Sequence, residues 1–387
     1  MAKNTIVLLN GETIQALAMA KALKESGYNI ISICDSIDSY GYCSKHVDEK
    51  IIAPSIHEHT NLFHEFFVDW LKTNKVDAII PMNDFSAEYL SKNKAELGKY
   101  TKFLIPDYEV FTKGYDKHKL MQICKEWNYP HPLTLDLLLE NYEAVAEKMV
   151  YPALIKPNIT TGGRGFARVT TPKELIEKYP SIKKDYGDCH VQEFIPPGGA
   201  QYKVELFINN GELINATVMN KIRFYPENGG SSCCSISIQR DDLVDLCFNI
   251  LKTIGWYGFA DFDLIEDPRT NEVKVMEINP RVPACIRLSL VSGIDFATMI
   301  ADATLGKPLQ KYEYFPGKVL RYMALDALWF AYSTNRFSTS PAWLKLFGKN
   351  IYWQECGGGL KAMLTGSLSG LKKQLNPKFR EAKAGLR

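Results

Sequence analysis

Asp261, Asp263, Glu277, Asn279 and Arg281 are the residues whose types and spacing could do chemistry in this chain. They lie in one stretch, GFADFDLIEDPRTNEVKVMEINPR, residues 258–281. Residues 259–265 alternate apolar and acidic, a turn carries Asp267, Pro268 and Asn271, and residues 272–278 read as a second strand. A hairpin centred near Thr270 sets Asp263 opposite Glu277 and Asp261 opposite Asn279. Side chains directly across an antiparallel pair sit about 5 Å apart at Cβ, where like charges repel. Two carboxylates held face to face among apolar neighbours call for a cation between them. Hard oxygen donors suit Mg²⁺, which takes a few protein oxygens and completes its shell with substrate phosphates. Arg281 follows on the same face and could hold a phosphate or carboxylate oxygen pair. A surface hairpin of solvated acids would carry the same letters.

Three further stretches fit a phosphate-bearing ligand. YPALIKP, residues 151–157, is an apolar strand with Lys156 set inside it, and NITTGGRG follows before a second strand at 166–169. Gly162, Gly163 and Gly165 would let backbone N–H groups cradle phosphate oxygens, with Lys156 as a point charge beside them. The stretch is not a GxxxxGK[ST] loop, and a plain hairpin turn would also use Gly-Gly. Asp116 is a candidate N-cap for a helix running to Trp127, which puts Lys117 at a helix N-terminus, awkward unless an anion binds there. HVQEFI, residues 190–195, is a strand that breaks at Pro196-Pro197-Gly198. Such an edge leaves backbone groups free for a base.

The elements that must position these residues come in three groups. Residues 1 to about 107 alternate strands (5–9, 29–34, 77–81, 103–105) with helices (14–24, 61–72, 86–97), which implies a parallel sheet with helices on both faces. The first turn, LLNGET, has no GxGxxG, so its role is structural or it forms one wall of a substrate cleft. Residues 202–208 and 212–218 form a hairpin, residues 221–237 read as a mobile loop, and a helix over 240–254 leads into the acidic hairpin.

The order of these pieces resembles that of the ATP-grasp ligases over residues 106–309. It runs Asp116-Lys117, YPALIKP, the glycine-rich loop, VQEFIPPG and the acids ending in MEINPR. KIRFYPENGGSS and MEINPRVPA are most similar to carbamoyl-phosphate-synthase-like and D-aspartate-ligase-like carboxylate–amine ligases. The resemblance implies an α/β and α+β fold. A pre-ATP-grasp domain would cover 1–107 and an ATP-grasp domain 108–310, with a small lobe at about 120–190 and a large lobe at about 191–310. A mainly helical extension would occupy 311–387. It implies that Lys117 and Lys156 bind ATP phosphates under a lid of Gly162, Gly163 and Gly165. Glu193, Phe194 and Ile195 would line the adenine pocket, partly by backbone. Asp263, Glu277 and Asn279 would hold Mg²⁺, with Mn²⁺ as the alternative, and Lys156 and Arg281 would stabilise the transferred phosphoryl group. Relatives often carry an acidic ribose contact shortly after the adenine strand; Gln201 stands nearby and that contact is left open, and Asp263 stands where many relatives carry Glu.

The implied reaction joins a small-molecule carboxylate to an amine through an acyl phosphate, releasing ADP and phosphate. A kinase-like enzyme releasing a phosphorylated carboxylate or carbamate, and a nucleotide-binding module without turnover, are the alternatives. Arg223 and Arg287 are the candidates for the substrate carboxylate; Arg287 sits in an apolar stretch, where a buried arginine needs an anionic partner, substrate or structural.

Composition narrows the rest. No apolar run reaches the roughly 18 residues of a membrane span. MAKNTIVLLNGET reads as a first strand, not a signal peptide. Nine cysteines with no CxxC spacing read as reduced thiols in a cytoplasmic protein and argue against a zinc site. No nucleic-acid partner is expected, and a homodimer is left open. Charge is uneven: residues 316–387 hold twelve basic and three acidic residues, against a net of +2 for the whole chain. That extension also carries Trp329, Phe330, Tyr332, Trp343, Phe347, Tyr352 and Trp353. It reads either as a helical layer packed on the core or as a basic, aromatic surface for an anionic membrane or an acidic partner.

Overall fold

The computed structural model describes residues 3–160, 163–227 and 230–375. Four short strands, β1 (Thr5–Leu9), β2 (Asn29–Cys34), β3 (Glu49–Ile52) and β4 (Ala78–Pro81), form a parallel sheet in the order β3-β2-β1-β4. The strand expected at 103–105 is not formed; only a bridge from Ala78 to Lys102 marks the place. A strand that the sequence reading lacks, β3, forms the opposite edge beside β2. Its exposed Glu49 and Lys50 hide it from a reading based on apolar runs.

β5 (Thr134–Leu137), β6 (Ala153–Pro157), β7 (Ala167–Val169) and β8 (Cys189–Glu193) make a small antiparallel sheet in the order β5-β8-β6-β7. It has its own core of Leu137, Ile155, Leu175, Tyr179 and Val191.

The third sheet is the largest. It holds β9 (Gln201–Asn209), β10 (Glu212–Tyr225), β11 (Ser231–Ile238), β12 (Gly258–Asp267), β13 (Glu272–Asn279), β14 (Val319–Arg321) and β15 (Ile351–Trp353), in the order β13-β12-β9-β10-β11-β14-β15. Its inner face shares a core with the parallel sheet, in which Val7, Phe67 and Ile79 meet Leu206, Ile250 and Phe262. The mobile loop expected at 221–237 is mostly strand. β10 runs on to Tyr225 and β11 pairs with it from Ser231. The ladder is completed by β14, more than eighty residues later in the chain, which local sequence cannot reveal.

The extension therefore supplies two strands to the central sheet, and helices Met323–Tyr332 and Leu360–Leu375. It also reaches back to the parallel unit. Tyr322 and Tyr40 meet hydroxyl to hydroxyl at 3.1 Å, Lys45 N–H donates to Gly358 O at 3.1 Å, and Ala362 packs with Leu17, Tyr40 and Cys43. Three of its tryptophans are committed to packing: Trp329 is buried against Arg223, and Trp343 and Trp353 flank Arg321. Tyr332 and Phe347 remain exposed. Among the described residues no helix is long and apolar enough to cross a membrane, and all nine cysteines are free.

Candidate active site

The acidic hairpin has the register its sequence implies. Asp261 pairs with Asn279 and Asp263 with Glu277, and a bulge follows Asp263. On the other side β9 runs antiparallel to β12, so Lys203 faces Asp263 and Glu205 faces Asp261. Lys203 Nζ lies 2.5 Å from Asp261 Oδ2 and 3.2 Å from Asp263 Oδ2, and Lys221 of β10 donates to Asp263 Oδ1. Burial alone would raise the Asp263 carboxyl, but Lys203 and Lys221 overcome it and hold the group well below the usual carboxylate range. Burial also acts on Asp261, where Lys203 offsets it incompletely beside the Asp263 charge, and the group is pushed above the usual carboxylate range.

Arg281 lies beyond the hairpin. Its Nε is 3.3 Å from Asp84 of the parallel unit, and its guanidinium donates to Asp261 Oδ2 at 3.3 Å and Asn279 Oδ1 at 3.0 Å. Asn279 Nδ2 donates to Asp263 Oδ2 at 3.2 Å. Lys117 opens the helix Lys117–Glu126, whose N-cap Asp116 accepts the N–H groups of His118 and Lys119. Lys117 Nζ stands 3.3 Å from Glu277 and donates to Thr160 O at 2.8 Å, tying the stem of the glycine loop to the acids.

One cavity of about 320 Å³ gathers Lys117, Asp263, Glu277, Asn279 and Arg281, together with Asp84, Lys203 and Lys221. The last three were not chosen from sequence. The period-2 pattern of QYKVELF does place Lys203 on one face, but only the β9–β12 pairing shows that the face is this one. Asp84 makes the parallel unit one wall of the cleft.

Lys156 is buried in β6, where it donates to Gln192 Oε1 at 2.5 Å and lies over the Phe166 ring. Burial pushes its ammonium down to about 8, with Glu277 opposing and Lys117 adding to the shift. An arriving polyphosphate would restore the charge. ATP binding at pH 8–9 is therefore expected to take up a proton, and affinity to fall as pH rises above 8. Calorimetry in two buffers of different ionisation enthalpy reads this directly; equal heats in both would count against it. Lys156→Ala should weaken ATP at least tenfold in the same titration, and Lys119→Ala less, because Lys119 is exposed and makes no contact with the acids.

Gly163 and Gly165 both have φ of +74°, and a Cβ on Gly165 would run into Tyr186 and Pro157. Gly162 lies outside the described residues. Glu193 ends β8 with its carboxylate bound to Lys274 at 2.7 Å and Arg269 at 3.2 Å; Phe194 packs under Arg168, and Ile195 is buried.

The two arginines proposed for the substrate carboxylate are placed elsewhere. Arg223 is 2% exposed and forms a fork on Asp326, Nε to Oδ1 at 2.8 Å and Nη2 to Oδ2 at 3.1 Å. Arg287 faces Glu355 and Cys356 of the extension, and neither arginine lines the cavity. Arg223 found a structural partner within the chain, whereas the buried Nε of Arg287 has no hydrogen-bond partner among the described residues. Sequence shows that a buried arginine needs an acid but not which one.

Glu205 sits behind the site, fully buried, accepting from Ser289 Oγ at 2.5 Å and Thr217 Oγ1 at 3.3 Å. Burial, then the Asp261 charge, push it up to about 8 from 4.5. The folded state thus keeps a proton that the unfolded chain releases. The associated stability is complete below pH 4.5 and is lost as pH rises towards 8. Glu205→Gln keeps the neutral shape and should flatten the fall in stability between pH 5 and 8.5, a loss on the order of a few kcal/mol in wild type that Tm–pH curves follow. Parallel Tm–pH curves for the two proteins would refute it.

The donor set fits Mg²⁺. Asp263, Glu277 and the Asn279 amide oxygen lie on two adjacent strands, and Asp261 Oδ1 is buried with no hydrogen-bond partner. Among the described residues no group of three or more His, Cys, Asp or Glu forms a full cage. The protein donors are therefore two acids and one amide, and the rest of an Mg²⁺ shell would have to come from phosphate oxygens.

No family model matches the sequence. The chain is 23% identical over 257 residues to the D-aspartate ligase of Enterococcus faecium, a match covering 61% of each protein. The chain thus spans under two thirds of that relative's length. Its structure superposes on biotin carboxylase from Campylobacter jejuni with a TM-score of 0.68 and 20% identity, covering 81% of this chain and 74% of that one. L-amino acid ligase from Bacillus licheniformis gives 0.64 and 15%, covering 82% and 78%. The fold is the ATP-grasp fold.

Proposed function

We propose that the protein is an ATP-dependent carboxylate–amine ligase. The observation that carries this reading is the single cavity in which Lys117, Asp263, Glu277, Asn279 and Arg281 converge beside Lys203 and Lys221. The similarity to a D-aspartate ligase and an L-amino acid ligase supports the same chemistry.

A carboxylate does not react with an amine at neutral pH because oxide is a poor leaving group. In the proposed reaction a carboxylate oxygen attacks the γ-phosphorus of ATP, the bond to the β-phosphate oxygen breaks, and ADP leaves. The amine nitrogen then attacks the acyl carbon. The carbon–nitrogen bond forms, the carbon–oxygen bond to phosphate breaks with its electron pair, and the nitrogen gives up a proton to the departing phosphate. Asp263, Glu277 and Asn279 would hold Mg²⁺, or Mn²⁺, which when bound supplies charge neutralisation for the phosphoryl oxygens. Lys117 and Lys156 would bind the phosphates. Arg281 would face the transferred group, with Asp84 fixing its orientation. Gly163 and Gly165 would let the loop close and exclude water, which would otherwise hydrolyse the acyl phosphate. The adenine would lie along Glu193–Ile195. Lys203, Lys221 and Arg281 replace Arg223 and Arg287 as the cations available to the substrate carboxylate.

The test is phosphate release from ATP, screened over a matrix of carboxylates and amines. Release that needs both partners and yields an amide supports the ligase. Release with a carboxylate alone, giving a stable phosphorylated product, supports the kinase-like alternative. No release with any pair, despite ATP binding, supports a module without turnover.

A further inference from the structure

The extension turns its largest apolar side chains towards water. Phe347, Phe337, Tyr332, Leu360 and Leu344 are 68–79% exposed, the five highest values for large apolar residues among the described residues. Single exposed apolar residues need no explanation, but these are grouped. Phe337 meets the edge of Phe330 at 5.6 Å between ring centres, and Phe330 stacks at 3.9 Å on Trp343, the residue before Leu344. Tyr332 adjoins them against Tyr225 at 5.9 Å. The helix Leu360–Leu375 packs beside the helix Met323–Tyr332 and is inverted. Ala362 is buried with Leu17, Tyr40 and Cys43, while Leu360, Leu364 and Leu368, four residues apart on roughly the opposite side, are exposed.

The extension's exposed charge has one sign. Of the three acids in residues 316–387, Asp326 and Glu355 are fully buried and Glu381 lies outside the described residues. Lys345, Lys349 and Lys361 are exposed and Arg336 is half-buried. Among the described residues the extension's ion pairs are those of Asp326 with the buried Arg223 and Arg321, so these four cations stay uncompensated. Glu227 reaches the group from beyond the end of β10 and accepts from Ser333 Oγ, one acid set against four bases. A second copy of this surface would bring like charge to it. Residues 376–387, with four basic residues and one acid, would do the same.

We propose that this surface docks the protein on an anionic lipid membrane without crossing it. Phe337, Leu344, Phe347 and the leucine stripe enter the headgroup region, where burial of their apolar area drives binding. Arg336, Lys345, Lys349 and Lys361 are drawn to the lipid charge, an attraction that salt screens. The exposure itself selects lipid over an acidic protein. Side chains so far exposed stand clear of the surface instead of lining a groove. A fluid bilayer accepts them as they are, whereas a protein partner must supply a matched pocket for each anchor. The proposal stands apart from the ligase reading and survives whichever substrates the site takes.

The experiment floats the full-length protein with vesicles of phosphatidylcholine alone, or mixed in equal parts with phosphatidylglycerol, at low and moderate salt. Binding to the mixed vesicles is expected to exceed binding to the neutral ones by about tenfold or more, and to weaken by about tenfold at moderate salt. Lys345→Glu with Lys349→Glu should remove the preference for anionic lipid. Leu344→Ser with Phe347→Ser, and Leu364→Ser with Leu368→Ser, should each weaken binding about fivefold or more at unchanged Tm. Equal binding to both vesicles, or to neither, would overturn the proposal, as would unchanged binding in the folded Leu344→Ser, Phe347→Ser protein. Loss of binding on deleting residues 376–387, with no effect of the substitutions, would overturn it too. Without vesicle binding, capture by poly-glutamate would assign the surface to an acidic polypeptide, and a dimer that Phe347→Ser dissolves would assign it to a second copy; either result rejects lipid. If the variants fail to fold, the lipid and salt comparisons on the wild-type protein decide.

Discussion

Glu277→Gln is expected to reduce Mg²⁺-dependent ATP turnover by about a thousandfold or more, and Asp263→Asn to do the same, while both proteins stay folded. The size follows from the several kcal/mol that a bound cation gives to phosphoryl charge in the transition state, ~4 kcal/mol being a factor of about a thousand. The two residues lie opposite each other on β12 and β13, and both line the same cavity. Neither substitution changes shape. Glu277 loses only its ion pair with Lys117 at 3.3 Å, half-buried at the cavity wall. Asp263→Asn leaves Lys203 its bond to Asp261, so one of the two lysines keeps a partner. The measurement pairs steady-state phosphate release with circular dichroism and Tm. A folded variant retaining a tenth or more of wild-type turnover would remove that residue from the metal set.

The acidic hairpin was legible because its two strands are joined by a short turn, so register follows from counting outward from Thr270. The same holds for the Asp116 cap and for the strand that carries Lys156. What stayed hidden depends on pairings between distant segments. Lys203 and Glu205 become neighbours of Asp263 and Asp261 only once β9 is known to lie beside β12. Residues 221–237 look like a loop from their Pro, Asn and Gly content, and they become strands because β14 arrives from the extension. Arg223 was taken for a substrate ligand on sound electrostatics, since its charge does need an anion. The anion is Asp326, which lies 103 residues away. The tryptophans of the extension carried the same ambiguity. Set among lysines they look like a surface for membranes, yet three of them cover buried guanidinium planes.

Asp326→Asn is expected to cost about 3–5 kcal/mol of stability, the range for removing one partner of a buried ion pair. Asp326 is fully buried, and its two oxygens serve both Arg223 and Arg321, which are 2% and 1% exposed. The cluster already carries more positive than negative charge, and the amide leaves two buried guanidiniums with none opposing them. Trp329, Trp343 and Trp353 over their faces, and the carbonyls of Pro341, Trp343 and Lys345, satisfy dipoles but not charge. The lost stability should appear where the cluster acts, at the join of β14 to β11. Urea unfolding gives the size, and limited proteolysis gives the place, with faster cleavage after about residue 316 than in the parallel unit. Exchanging the whole set, Arg223→Met, Asp326→Leu and Arg321→Met together, should recover most of the loss, because well-packed apolar groups replace a buried charge cluster at little cost. A loss under 1 kcal/mol for Asp326→Asn would show that the arginines reach water or another acid.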